Sequence, residues 1–163
     1  MHTENTVYMR GSKSRIFQLA ADIQDWPNLL PHYSDVIVFE RSDDGTRKVV
    51  EMVAVRDDFP IKGQQFPVRW RSVQICEPET HRIYFKHLAG VAIGMWVVWT
   101  LEDDPWGRGT AVTIGHDLTY ALPALNGWFA RDMVGEQFVH AIAGRTLATI
   151  KATVERDDLG LNR

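Results

Sequence analysis

From Val36 to about Leu118 polar and apolar residues tend to alternate, whereas on either side of that block the apolar residues recur every three or four positions. A period of two sends successive side chains to opposite faces of a strand, and a period near 3.6 gathers them on one face of a helix. The chain therefore reads as a central run of strands flanked by helices. Asn5 to Arg10, with Val7 and Met9 alternating with Tyr8, forms a short opening strand. Ser12 can cap the next element, in which Ile16, Phe17, Leu19, Ala20 and Ile23 make one apolar face. Pro27 and Pro31 limit the stretch from Trp26 to Tyr33 to about one further helical turn, because proline resists a helix interior and biases its predecessor toward extended geometry.

Within the central block, Asp43-Asp44-Gly45 lies between Val36–Arg41 and Lys48–Arg56 and predicts a hairpin, since Gly45 supplies the positive φ such a turn needs. Asp57 to Gly63 is a longer connection. Phe66–Cys76, Arg82–His87, Ala92–Glu102 and Thr110–Leu118 complete a meander, with turns at Glu77-Pro78-Glu79 and Asp103-Asp104-Pro105-Trp106-Gly107. Pro123 then opens a helix that runs without proline from Ala124 to about Arg156. Phe129, Met133, Phe138, Ile142, Leu147, Ile150 and Val154 give it a broad apolar stripe, which Gly127, Gly135 and Gly144 weaken locally. A meander has one apolar face, and this helix is long enough to cover it. The fold expected is α+β: a curved antiparallel sheet of about seven strands wrapped on a long C-terminal helix, with two short helices after the first strand.

Composition narrows the function without choosing it. A chain of 163 residues without repeats or a linker is expected to be one domain spanning residues 1–163. A domain of that size can remove about 70% of its unfolded surface from water. The 18 Lys and Arg against 21 Asp and Glu, a net charge of −3, supply no general attraction for phosphate backbones, so nucleic acid is not an expected partner. The opening MHTENTVYMRG lacks the apolar core of a secretory signal and the single Cys76 has no internal partner, which makes a cytoplasmic location the expectation. The longest uncharged stretch, Leu88 to Leu101, contains Gly90 and Gly94 and falls short of the roughly 20 residues that span a bilayer, so no membrane span is expected. Six tryptophans are many for this length, and indole rings are kept where a large flat surface is buried or presented to a ligand.

The order of elements, together with Asp22-Ile23 followed by Trp26-Pro27, Leu30-Pro31-His32-Tyr33, the Trp70/Ser72 strand, Trp99-Thr100-Leu101 and Gly109-Thr110, resembles the START-like (SRPBCC) superfamily. Within it the chain is most similar to the polyketide cyclase/dehydrase branch, which includes the aromatic-polyketide aromatase/cyclases, and next to the coenzyme Q-binding carriers. The resemblance implies a helix-grip (START/Bet v 1-like) fold with a deep pocket between the concave sheet face and the long helix. It implies a hydrophobic small-molecule partner, whether polyketide, lipid or quinone, and an acyl carrier protein where a tethered poly-β-ketone is the substrate. In the aromatase/cyclases a tyrosine after the Trp-Pro element and an arginine on a central strand are the usual catalytic candidates. Tyr33 matches the first. For the second, the register puts Ile75 at the family arginine, with Arg69 and Arg71 earlier on the same strand.

Alternation selects the residues that face the pocket. Val112, Ile114, His116, Leu118 and Tyr120 share one face of the last strand, Met95, Val97, Trp99 and Leu101 one face of the preceding strand, and Ile83, Phe85 and His87 one face of the strand before. Trp26 packs near Tyr33, and Trp128, Met133 and Gln137 on the first turns of the long helix line the mouth. The strand from Val68 to Val73 can be read in either phase: inward, Arg69 and Arg71 are cationic donors in the pocket; outward, they are solvated charges on the convex surface. Every one of these positions also suits ordinary core packing.

The chemistry such a pocket can perform is acid/base catalysis. A methylene between two ketones is already activated, and an imidazole with an unperturbed pKa near ~6.5, His116 or His87, can remove its proton. Tyr33 or an arginine would stabilise the enolate. His32, His81, His87, His116 and His140 show no close-paired metal spacing, no serine sits in a Gly-x-Ser-x-Gly turn, and Gly107-Arg108-Gly109 lacks the helix that follows a phosphate loop, so neither a metal nor a cofactor is expected. The function expected is a polyketide cyclase/dehydratase-type enzyme. The alternatives are a noncatalytic carrier of a lipid or isoprenoid quinone and an interaction module whose pocket has collapsed.

Overall fold

The alternating block folds as one antiparallel sheet. The computed structural model describes residues 1–57, 61–90, 92–119 and 141–160. Its strands are β1 (His2–Met9), β2 (Tyr33–Arg41), β3 (Arg47–Asp57), β4 (Gln65–Glu77), β5 (Arg82–Gly90), β6 (Trp96–Asp103) and β7 (Thr110–Asp117). Helix α1 (Lys13–Ala21), a 3-10 turn (Ile23–Asp25) and helix α2 (Trp26–Leu29) link β1 to β2, and α3 (Ala141–Asp158) follows the sheet. The spatial order β1-β7-β6-β5-β4-β3-β2 puts the first two strands at opposite edges. The chain therefore leaves β1, crosses to the far edge through α1 and α2, and returns strand by strand until β7 pairs with β1, Met9 opposite Thr110.

Register shifts bend this sheet. They fall between Tyr33 and Asp35 and between Val38 and Glu40 on β2, and at Leu88 on β5, where Arg71 of β4 pairs with Ala89 and Ser72 with His87. An extra residue on one strand kinks it and sharpens its twist. Gly90 ends β5 at φ +98°, where a Cβ would lie 2.6 Å from the Arg69 carbonyl oxygen, so a glycine is needed for the end of β5 to close against β4 at Arg69 and Trp70.

Helix α1 is capped at its N-terminus and tied to the sheet at its C-terminus. Ser12 Oγ accepts the Arg15 amide at 3.3 Å and caps α1. At the other end, Lys48 Nζ from β3 and Gln74 Nε2 from β4 both donate to the Ala21 carbonyl, at 3.1 and 3.2 Å. The last carbonyls of a helix have no partner within it, and a cation there also complements the helix dipole. Trp26 Nε1 donates to the Leu19 carbonyl at 3.1 Å and ties α2 to α1, while Leu30, before Pro31, is extended as the proline dictates. Helix α3 packs on β1, α1 and β3, burying Leu147, Ile150 and Val154. No helix among the described residues is long and apolar enough to cross a membrane.

The elements match the expected order, with differences at their ends. Strand β2 starts at Tyr33 rather than Val36 because Tyr33 already pairs with Ala54. Strand β6 starts at Trp96 rather than Ala92, since Ala92–Met95 forms a turn in which the Met95 amide donates to the Ala92 carbonyl at 3.0 Å. The N-terminal part of the expected long helix, with Trp128, Met133 and Gln137, lies outside the described residues, as does Tyr120.

Candidate functional site

Pairing between β3 and β4 settles which way β4 faces. Trp70 is the register partner of Met52, and both are buried on the concave side, with Ser72 and Gln74 following at the same phase. The pleat sends Arg69 and Arg71 to the convex side, where their side chains are 59% and 44% exposed and both donate to Glu51. The Arg71 guanidinium also lies 4.4 Å from the centre of the Phe39 ring. The inward reading of these two arginines is thus corrected: neither reaches the pocket.

Between the concave face and α3 lies a cavity with about 60 Å³ of room for water-molecule centres. Tyr33, His116, Trp26, His87, Phe85, Met95, Val97, Trp99 and Ile114, all selected from the sequence, line it. Leu118 does not. It is buried just beyond β7, its amide donating to the Met1 carbonyl at 2.9 Å. Met52, Trp70, Ile142, Ala143 and Thr146 line the cavity without having been singled out. Met52 could have been found, because Val50, Met52 and Ala54 alternate on one face of β3. Trp70 was hidden by the undecided phase of its strand.

Aromatic rings form most of the wall. Trp26 meets Tyr33 edge-on at 4.9 Å between centroids and lies 6.2 Å from Trp99 and 6.3 Å from Phe85. Tyr33 is 6.0 Å from Trp70, which is 6.1 Å from His87. Such contacts fix ring orientations and exclude water, so the few polar groups act in a low-dielectric space.

Those polar groups are Tyr33, His87, His116 and Thr146. Burial pushes the Tyr33 phenol above its ordinary range, against a smaller opposing pull from the Thr146 hydroxyl, so Tyr33 is a donor and not a base at neutral pH. Thr146 Oγ1 donates to the Ile142 carbonyl at 2.9 Å, which leaves its lone pairs to accept His32 Nε2–H at 3.0 Å. His32 is lowered to about 4, by burial first and then by Arg145. His87 is lowered to about 3, by burial first and then by His116 and Lys86, with the Ala92 backbone opposing. His116, buried on β7, is the register partner of Val97, itself paired to Phe85, so the two histidines flank the β6 strand on one face. Among the described residues no cluster of three or more His, Cys, Asp or Glu side chains is placed to hold a metal.

The family described as "Polyketide cyclase / dehydrase and lipid transport" matches residues 11–143. Among solved structures, the Zhui aromatase/cyclase from Streptomyces sp. R1128 superposes with a TM-score of 0.76 at 19% identity, over 96% of this chain and 94% of its own. A protein from Thermus thermophilus superposes at 0.74 with 20% identity over the whole of both chains. A START superfamily protein from Mycobacterium smegmatis does so at 0.68 with 14% identity, over 95% and 97%. At these identities the likeness is one of fold. No curated protein sequence matches the chain.

Proposed function

Since the chain belongs to the polyketide cyclase / dehydrase and lipid transport family and has the START-like fold, we propose that it binds a compact poly-β-ketone in the cavity and directs its aldol ring closure and dehydration by acid/base catalysis. The observation that carries this reading is that Tyr33 and His116 line the same largely aromatic cavity, in which His87 and Thr146 are the other polar groups. In this scheme His116 takes a proton from a methylene between two ketones. Tyr33, neutral and buried, donates a hydrogen bond to the enolate oxygen, where preorganised donors act best. The carbanion adds to a carbonyl further along the chain, the proton held by His116 returns to the alkoxide, and loss of one water completes the new double bond. Delivery of the substrate by an acyl carrier protein belongs to the same proposal.

A second reading is carriage of a lipid or quinone without turnover. It is favoured by one observation, that no lysine or arginine lines the cavity among the described residues. Native mass spectrometry of protein from its own cells separates the two, because a stoichiometric lipid or quinone would speak for carriage. For the enzyme reading, a synthetic poly-β-ketone is expected to close its ring on the wild-type chain. His116→Ala is expected to slow this by about 10²–10⁴-fold, and Tyr33→Phe by a smaller factor. Unchanged ring closure in both variants would refute the assignment.

A further inference from the structure

The cavity has room for about five waters, at the roughly 10–15 Å³ that each needs. It can hold one ring of a ligand, and a longer chain must continue elsewhere. The space next to it is a recess between the end of β3, the start of β4 and the first turns of α3, in two lobes of about 360 and 160 Å³ that share His32, Val55, Asp57 and Arg145. A single layer of side chains divides recess from cavity. Ile142 lines both, and His32 on the recess side is bonded at 3.0 Å to Thr146 on the cavity side.

The donors of the recess already hold an anion. Arg145 Nη2 donates to Asp57 Oδ2 at 2.8 Å and Gln65 Nε2 donates to Asp57 Oδ1 at 2.9 Å, so groups from α3 and β4 close on both oxygens of one carboxylate. Arg56 also lines the smaller lobe, and Asp57 is the one carboxylate that lines either lobe among the described residues. Burial first, and then the positive field of Arg145, lower the pKa of both His32 and Arg56, as expected where Arg56 and Arg145 outnumber Asp57. The Arg145 and Asp57 side chains are 50% and 40% exposed, and an ion pair so well wetted is weakly held. A ligand anion can therefore displace Asp57 at little cost.

We propose that the recess is the subsite for an anionic end of the ligand, a carboxylate or phosphate that takes Arg145 and Gln65 from Asp57 while the reacting ring lies in the cavity. This rests on the cavity being the ligand site, as argued above, and adds the substrate class: a keto acid, or a thioester on a phosphate-bearing carrier arm, whose chain passes Ile142 between the two spaces. Asp57 then acts as a stand-in that keeps the two donors paired until the ligand arrives.

The test titrates three ligands of similar shape, 4-phenylbutanoate, 4-phenylbutyl phosphate and 4-phenylbutanamide, into the full chain by isothermal calorimetry. The wild type is expected to bind at least one of the two anions about five- to tenfold more tightly than the amide, and Arg145→Met to bring all three within about twofold. Asp57→Asn, which removes the competing carboxylate, is expected to tighten the preferred anion about threefold and to leave the amide unchanged, a gain that loss of fold cannot imitate. Preference for the carboxylate supports a free acid as ligand, and preference for the phosphate supports a carrier arm. Equal binding of all three by the wild type, or a preference that survives Arg145→Met, overturns the inference and leaves the cavity reading standing. Failure of all three to bind the wild type overturns the two together.

Discussion

His32 and His87 are held neutral by burial, with pKa values near 4 and near 3, and in the unfolded chain each returns to about 6.5. Between the folded and unfolded values the unfolded state binds more protons, so stability is full above pH ~6.5 and falls as the solution is acidified toward the folded values. For His87 alone the loss from pH 7 to pH 5 comes to about 2 kcal/mol. Exposed His2 works in the opposite sense, its pKa raised by Asp117, so acid strengthens that contact. Urea unfolding at pH 7 and pH 5 checks the sign and the size: the wild type is expected to weaken on acidification, and His87→Phe to lose about 2 kcal/mol of that dependence. Individual residues were the least legible part of the sequence. The inward set on β5 and β7 could be read because one face of each strand is plainly apolar. Arg69 and Arg71 could not be placed, because Val73 and Ile75 make the outward face of β4 as apolar as the inward one, and only pairing with Met52 and Glu51 on β3 decides between them. Thr146 gave no signal at all. A threonine joins an apolar helix stripe only when its hydroxyl finds the Ile142 carbonyl, which no spacing announces.

Element boundaries were legible to within a few residues because alternation and capping are local. Where they moved, as at Tyr33 on β2, a cross-strand partner had extended the strand. How the elements are tied together is a longer-range matter, seen most clearly at the end of α1. The Ala21 carbonyl receives both Lys48 Nζ and Gln74 Nε2, so either donor keeps it paired when the other is removed. Lys48→Met and Gln74→Leu, which roughly conserve volume, are each expected to cost about 1 kcal/mol or less. Together they leave a buried carbonyl without a partner, and the double variant is expected to lose about 3 kcal/mol, more than the sum. Denaturant melts of the four proteins measure the difference. Strict additivity would mean that the two donors do not share the task of anchoring α1 to the sheet.

At the scale of the molecule, the order of elements determines the path of the chain. A meander keeps sequence neighbours paired, β7 must come back beside β1, and α1 and α2 have to bridge the two edges. The order of elements and the meander followed from the sequence, whereas the pairing of β7 with β1 came only with the structure. How closely α3 seats on this frame was not legible either, because it depends on side chains more than a hundred residues apart. The seat is visible at Gly11, just before α1, where a Cβ would lie 2.1 Å from Val154 Cγ1 of α3. An alanine at this position must push α3 away or twist Val154 off its rotamer, and overpacking of that kind costs about 1–3 kcal/mol. Val154, 2% exposed, leaves a small cavity when shortened, and Val154→Ala is expected to cost a similar amount. In the double variant the new methyl occupies the space the valine gave up. Its cost is therefore expected to fall at least ~1 kcal/mol short of the sum, a coupling that a double-mutant cycle in urea resolves. Additive losses would show that α3 closes on the sheet without resting on Gly11, and the seam that holds the cavity shut would have to be sought along β1 instead.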